Sequence, residues 1–192
     1  MKFVKNEFIE IFEEKKSKFI AHLIPIENFD DLMQRLKTKH TKARHFVYAY
    51  RFLNEYSQTV ENSSDDGEPK GTSGKPCLNV LAGANIINSA VIIVRYFGGV
   101  KLGTGGLVRA YSASVNKVIE NSEFFTYKDN ITAYINCDYS LFSKIEYILN
   151  QENIQIVSKD FTTSIEIEIK LTKKEFSKLK EMLPLEAKLC KV

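Results

Sequence analysis

Apolar residues recur at two different spacings along this chain, and the switches between them mark out its elements. Residues 7–13 and 18–24 are apolar-rich runs on either side of a polar Glu14-Lys15-Lys16-Ser17 turn, which predicts a hairpin. His22 lies within the second run and reads as structural. Phe29, Leu32, Met33 and Leu36 then repeat at helical spacing behind Asn28, a candidate N-cap, so a helix is expected to end near His40. Residues 45–53 read as a strand, 58–60 as a short strand and 77–82 as a short helix. Val91-Ile92-Ile93-Val94 opens an unbroken β-branched run, the pattern of a strand buried on both faces. Five glycines follow within residues 98–106. Helical spacing resumes at Leu107, Tyr111, Val115 and Val118, predicting a helix from Gly106 to about Ser122 with Arg109, Ser112 and Asn116 on its polar side.

Residues 121–130 form a short polar linker, and a second pattern begins beyond it. Residues 131–137 predict a strand; Leu141, Ile145, Ile148 and Leu149 a helix; Ile154 and Ile156 a strand. Residues 164–171 alternate strictly, as expected of a strand with one buried and one wet face. Thr172-Lys173-Lys174-Glu175 is a capping box opening a helix with Phe176, Leu179 and Leu183 inside, and a last strand fits 186–190. The order β-α-β-β-α-β is that of a ferredoxin-like domain. The expected fold class is α+β, with an N-terminal domain over 1–125 and the ferredoxin-like domain over 129–192. Glu166 and Glu168 on the wet strand face speak against an RNA-binding sheet that displays aromatic residues.

Charge refines this picture only slightly. Residues 1–128 hold 18 Lys/Arg against 14 Asp/Glu, whereas 129–192 hold 9 against 10, so a polyanion site is expected in the first part. Cys77, Cys137 and Cys190 are odd in number and form no metal-ligand pair, which fits reduced thiols and a cytoplasmic protein. The chain has neither a signal-peptide pattern nor an apolar run of membrane-spanning length, so no membrane role is expected.

The candidate chemistry lies in two loops. Strand, glycine loop and helix in succession place free backbone N–H groups and the positive end of a helix dipole together, a combination that favours anions. Arg95, Lys101 and Arg109 add three cations, and Lys39, His40, Lys42, Arg44 and His45 form a basic cluster before the 45–53 strand. Neither the dinucleotide fingerprint nor the P-loop fits: Gly103-Thr104-Gly105-Gly106-Leu107-Val108 lacks the last glycine, and Thr104-Gly105 stands where the P-loop needs Lys-Ser/Thr. The loop over 63–76 contributes Asp65, Asp66 and Glu68. These carboxylates have three open readings: a hard-cation site, a cap for the following helix, or partners for Arg95 and Lys101.

Taken together, Asp65-Asp66-Gly67-Glu68-Pro69-Lys70-Gly71-Thr72-Ser73-Gly74-Lys75-Pro76 and Val94-Arg95-Tyr96-Phe97-Gly98-Gly99-Val100-Lys101-Leu102-Gly103-Thr104-Gly105-Gly106-Leu107-Val108-Arg109-Ala110-Tyr111 closely resemble the signature of the IMPACT/YigZ family. The resemblance implies an N-terminal domain like domain 2 of ribosomal protein S5 and a C-terminal domain like the last domain of elongation factor G, both folds of translation proteins. It points to the bacterial two-domain branch. The partner of the eukaryotic relative, which restrains a kinase that shuts down translation initiation, is therefore not carried over. Val47 stands where many relatives carry Cys, which disfavours a thiol mechanism at that strand.

The expected function is a non-catalytic, translation-associated regulator that binds RNA or a ribosomal component, with a translation-regulatory protein as a further partner. Its site is expected to comprise Arg95, Tyr96, Gly98, Gly99, Lys101, Gly103, Gly105, Gly106, Arg109 and Tyr111, with Asp66, Glu68, Thr72, Ser73 and His45 from the neighbouring segments. Tyr96 or Tyr111 is expected to stack on a base. No cofactor, catalytic residue or metal is expected on this reading. The alternatives are a protein-interaction module, or a metal-assisted phosphohydrolase using Asp65, Asp66 and Glu68 with His45 as acid or base.

Overall fold

Seven of the eight residues of the central strand are buried, and helices on both sides explain why its sequence carries no polar alternation. The computed structural model describes residues 1–191, in two compact units that divide after Tyr127. The strands of the first unit are β1 (Lys2–Phe3), β2 (Phe8–Glu14), β3 (Ser17–Pro25), β4 (His45–Leu53), β5 (Thr59–Ser64), β6 (Ser89–Tyr96) and β7 (Phe125–Thr126). Its helices are α1 (Phe29–Lys39), α2 (Gly74–Gly83) and α3 (Gly103–Glu120). Five strands form an antiparallel sheet in the order β2-β3-β6-β4-β5.

On one face of this sheet, Leu32 and Leu36 of α1 pack against Ile24, Phe46, Ile92 and Val94. On the other, Leu78 and Leu81 of α2 and Leu107, Tyr111, Val115 and Val118 of α3 pack against Phe19, Val47, Val91 and Ile93. The Leu107 stripe therefore buries as its spacing predicts. Asn28 precedes α1 but makes no side-chain cap bond, contrary to expectation. Burial of Leu32 and Leu36 holds the helix instead, since about 1.5–3 kcal/mol per buried side chain exceeds the ~1 kcal/mol of a cap.

Two further departures shape the surroundings of the candidate site. The β2–β3 turn is tighter than expected: Glu14 pairs directly with Ser17, and the two intervening lysines both take positive φ, 46° at Lys15 and 64° at Lys16. This is the backbone of a two-residue hairpin turn that follows the strand twist. Second, Phe125–Thr126, expected within the polar linker, pairs as β7 with β1.

The second unit consists of β8 (Asn130–Cys137), α4 (Tyr139–Gln151), β9 (Gln155–Phe161), β10 (Ile165–Thr172), α5 (Lys173–Met182) and β11 (Lys188–Lys191). Its antiparallel sheet runs β11-β8-β10-β9, the arrangement of the expected ferredoxin-like βαββαβ fold. Ile165, Ile167, Ile169 and Leu171 of β10 join Ile145 and Leu149 of α4 and Leu179 of α5 in one core, while Glu166 and Lys170 are exposed. Thr172 and Glu175 make the predicted capping box, the Thr172 hydroxyl accepting from Glu175 N and the Glu175 carboxylate accepting from Thr172 N.

Candidate ligand-binding cleft

The acidic loop between β5 and α2 folds around its own carboxylates. Asp65 Oδ1 accepts from the N–H of Ser73 (3.1 Å), the N–H of Gly74 (2.8 Å) and the Ser73 hydroxyl (2.7 Å), while Oδ2 accepts from Gly71 N (2.7 Å). Asp65 thus caps α2 from nine residues upstream, one of the three roles left open by the sequence. Partial burial alone would raise the Asp65 pKa, but the donated hydrogen bonds outweigh it and hold the carboxyl below its ordinary value. A group with a depressed folded pKa contributes stability that is complete above the unfolded value, about 3.9, and is lost as pH falls through the folded one. The stability advantage of the wild type over Asp65→Asn is therefore expected to shrink on acidification below about pH 4. Urea midpoints of the two proteins at a series of pH values check this; a difference independent of pH contradicts it.

Several residues expected in the site hold this loop in place. Asp66 Oδ2 accepts from Phe46 N (2.6 Å), and the Asp66 carbonyl accepts from His45 Nδ1 (2.8 Å). Thr72 Oγ1 donates to the Pro69 carbonyl (2.7 Å). Glu68 turns inward and accepts from Arg95 Nη1 and from the Tyr111 hydroxyl (2.8 Å). The three acidic side chains thus serve three different sets of protein donors. Among the described residues, no group of three His, Cys, Asp or Glu side chains is placed to share a metal ion.

The glycine loop is built by close approach. A Cβ on Gly98 would lie 2.0 Å from the Lys16 carbonyl carbon, and Gly98 N donates to the Ser17 hydroxyl (3.1 Å), so this loop is seated on the β2–β3 turn. The helix begins at Gly103, one turn earlier than expected, and Gly103 enters it with φ +72°. The first turn of α3 has no side-chain cap and no acidic residue. Its leading N–H groups lack intrahelical partners by geometry, and they carry the positive end of the helix dipole. Arg109 folds back toward this turn, with Nη1 3.7 Å from where a Cβ on Gly105 would sit.

Beside this turn opens a cleft of about 340 Å³. Arg95 and Glu68 line its buried side; Phe97, Pro69, Leu102 and Leu107 provide apolar walls; Lys101, Gly103 and Thr104 complete the lining. A second cavity of about 220 Å³ shares Leu102 and is lined by Phe12, Glu14, Lys15, Gly106, Arg109 and Ala110, with Ala113 behind.

Of the residues expected in the site, the structure brings Arg95, Lys101, Gly103 and Glu68 into the cleft, and Gly106 and Arg109 into the adjoining cavity. Gly98 and Gly99 shape the connecting loop, and Gly105 lies beside the Arg109 guanidinium. Two aromatic assignments are corrected. Tyr111 is fully buried against Phe19, and both its burial and the Glu68 carboxylate beside it push its phenol pKa far up, so it is a core residue. Tyr96 packs on the α1 face, its hydroxyl 2.8 Å from His40 Nδ1, and stacks on nothing in the cleft. Arg95 is likewise no free cation, being neutralised by Glu68. Phe97, absent from the expected set, is the exposed aromatic at the cleft; an aromatic inside a glycine-rich loop was the available signal. Thiol chemistry has no place here: Cys77 is fully buried, which pushes its pKa far up, and Val47 lies in the core.

Comparison with known proteins fits this two-unit arrangement. The Impact N-terminal domain matches residues 15–119, and a domain of unknown function, DUF1949, matches residues 135–184. An IMPACT family member of Haemophilus influenzae is 33% identical over 85% of this chain and 82% of its own. The IMPACT family member YigZ of Escherichia coli is 34% identical over the same shares of both chains. A crystal structure of a hypothetical protein superposes over 100% of this chain and 96% of that one, at 28% identity and a TM-score of 0.64. With the family domain covering residues 15–119 and such relatives matching along most of their length, the chain belongs to the IMPACT family.

Proposed function

We propose that this protein is a non-catalytic, translation-associated regulator that binds RNA, free or within a ribosomal component, through the cleft at the N-terminus of α3. The observation that carries the proposal is an uncapped, glycine-rich helix start, free of acidic residues, beside an apolar cleft and next to Lys101. Donors and dipole supply an anion site, and the apolar walls accept a flat ring; phosphate and base together are what a nucleotide offers. The translation setting rests on family membership. A non-catalytic role fits the carboxylates, which are occupied with the loop, the α2 N-terminus and Arg95. No helix among the described residues is long and apolar enough to cross a membrane, and a cytoplasmic location belongs to the proposal.

Arg109 and Lys101 are exposed, so their removal leaves the fold intact. Arg109→Ala is expected to weaken binding to every RNA sequence alike and to lower the salt slope by roughly 0.7 for each phosphate no longer neutralised, as does Lys101→Ala. Filter binding of random-sequence RNA at several salt concentrations checks this; unchanged affinity in both variants contradicts the proposed site. One observation favours a second reading, a protein-interaction module: Phe97 and Val100 expose apolar surface on the same loop. That reading predicts a partner retained in pull-downs after nuclease treatment.

A further inference from the structure

We infer that the cleft and the adjoining cavity hold successive nucleotides of one unpaired RNA strand, with a base against Phe97 and the backbone crossing the first turn of α3 toward Lys15 and Arg109. This inference rests on the RNA-binding reading above and specifies the form of RNA that it takes.

The first observation is the division of chemistry along the groove. The cleft on one side of Leu102 has mainly apolar walls, whereas the cavity on the other side presents Lys15 and Arg109 against a single carboxylate, Glu14. Leu102 alone is common to both linings, so a continuous chain passing over it enters both. Phe97 is 53% exposed at the mouth of the first. Its ring has the Arg95 guanidinium nearby at 5.8 Å. A base stacked on the open ring would complete the arrangement that single-strand binders use, aromatic platforms along a cationic track.

The second observation concerns the polar side of the cleft. Arg95 is only 5% exposed, lines the cleft, and spends one nitrogen on Glu68, yet its Nε has no hydrogen-bond partner. Buried donors are almost always satisfied, so this unpaired N–H, sealed from solvent on a side chain that lines the cleft, leaves Arg95 with an unspent donor that a ligand acceptor meets when the guanidinium turns toward the cleft. With glycine at 103, 105 and 106, Thr104 is the one side chain beyond Cα among the first four residues of α3, which gives a phosphate access to backbone N–H groups.

A duplex does not meet these requirements. Its bases are stacked on each other and its deep groove is closed to side chains, so an aromatic platform has nothing to receive. An acidic peptide would answer the cations but leave Phe97 and the apolar walls without a flat partner.

The test uses the full chain and fluorescence anisotropy with a labelled oligoadenylate of about eight nucleotides, the scale of a single-strand site. The single strand is expected to bind more tightly than the same sequence paired in a duplex. Phe97→Ala is expected to weaken single-strand binding roughly 5- to 100-fold with an unchanged salt slope, and Phe97→Trp to restore it. Lys15→Ala is expected to do the opposite, lowering the salt slope by roughly 0.7. Equal or tighter binding of the duplex overturns the inference, as does indifference to Phe97→Ala or to Lys15→Ala, and RNA binding then stands without it. Stronger binding of a poly-glutamate peptide than of RNA, or no binding of any RNA, overturns this inference and the RNA-binding reading together.

Discussion

Replacing Glu68 by Gln is expected to destabilise the first unit by about 3–5 kcal/mol, a large part of the 5–15 kcal/mol that a domain usually commands. The side chains of Glu68 and Arg95 are 4% and 6% exposed, so neither charge is hydrated. Gln keeps the shape and still offers an oxygen to the Tyr111 hydroxyl, but it removes the charge and leaves the Arg95 guanidinium buried without a counter-charge. The cost lies in that stranded charge. The double variant Glu68→Gln/Arg95→Met is therefore expected to recover most of the loss, because it removes the stranded charge while the introduced amide still accepts from the Tyr111 hydroxyl. Urea unfolding followed by circular dichroism, read at the transition of the first unit, measures both. A loss below about 1 kcal/mol in the single variant would mean that water or backbone relaxation reaches the pair. The same pair ties the acidic loop to β6, so the single variant also loosens one wall of the cleft.

Gly98→Ala is the second large expected effect, about 3 kcal/mol or more, at the upper end for overpacking. The added methyl would overlap the Lys16 carbonyl carbon at 2.0 Å, the Lys16 oxygen at 2.3 Å and the Ser17 nitrogen at 2.3 Å. All three are backbone atoms, so no side chain can swing away. Either the hairpin turn or the glycine loop has to move. The turn has little freedom, since both of its lysines already sit at positive φ, where an L-residue is strained by roughly 1–2 kcal/mol each. Movement of the loop breaks the Gly98 N to Ser17 Oγ bond and shifts Phe97 and Lys101 together. Gly98→Ala is thus expected to lower both the unfolding midpoint and RNA affinity, whereas Gly83→Ala, in α2 where a Cβ meets nothing within 4 Å, is expected to leave RNA affinity unchanged and the midpoint unchanged or slightly raised. Equal effects of the two alanines would contradict the close-packing account.

Much of this architecture was legible because burial leaves a periodic trace. The unbroken run of β6 reports helices on both faces, the alternation of β10 reports one wet face, and Thr172 with Glu175 marks the start of α5. The same periodicities also bear on the two misplaced tyrosines. Tyr96 is the immediate neighbour of Arg95 on a strand, so the two must face opposite sides of the sheet. Tyr111 lies four residues from Leu107 on the helix and so shares its buried stripe. The motif groups these residues in sequence, and the geometry separates them in space.

Other features left no such trace. Gly103, Gly105 and Gly106 are poor helix formers, and the extra turn of α3 forms because the packing of Leu107 and Ala110 overrides propensity. Lys15-Lys16 carries none of the Asn or Gly that advertises a two-residue hairpin turn; the seat under Gly98 holds it. The β1–β7 pairing joins two-residue strands more than a hundred positions apart, too short for any periodicity to register. The sequence leaves three roles open to Asp65, and only the folded loop shows that its carboxylate collects the N–H groups of Gly71, Ser73 and Gly74.

The most direct test of the central claim is sedimentation of cell lysate, at low and high salt and with and without nuclease, following the wild-type protein and Lys101→Ala/Arg109→Ala. The account predicts that the wild type travels with ribosomes or their subunits at low salt. It predicts release by high salt and by nuclease, and a double variant that stays near the top of the gradient. A wild type that remains at the top under every condition, or a double variant that sediments as the wild type does, would contradict it.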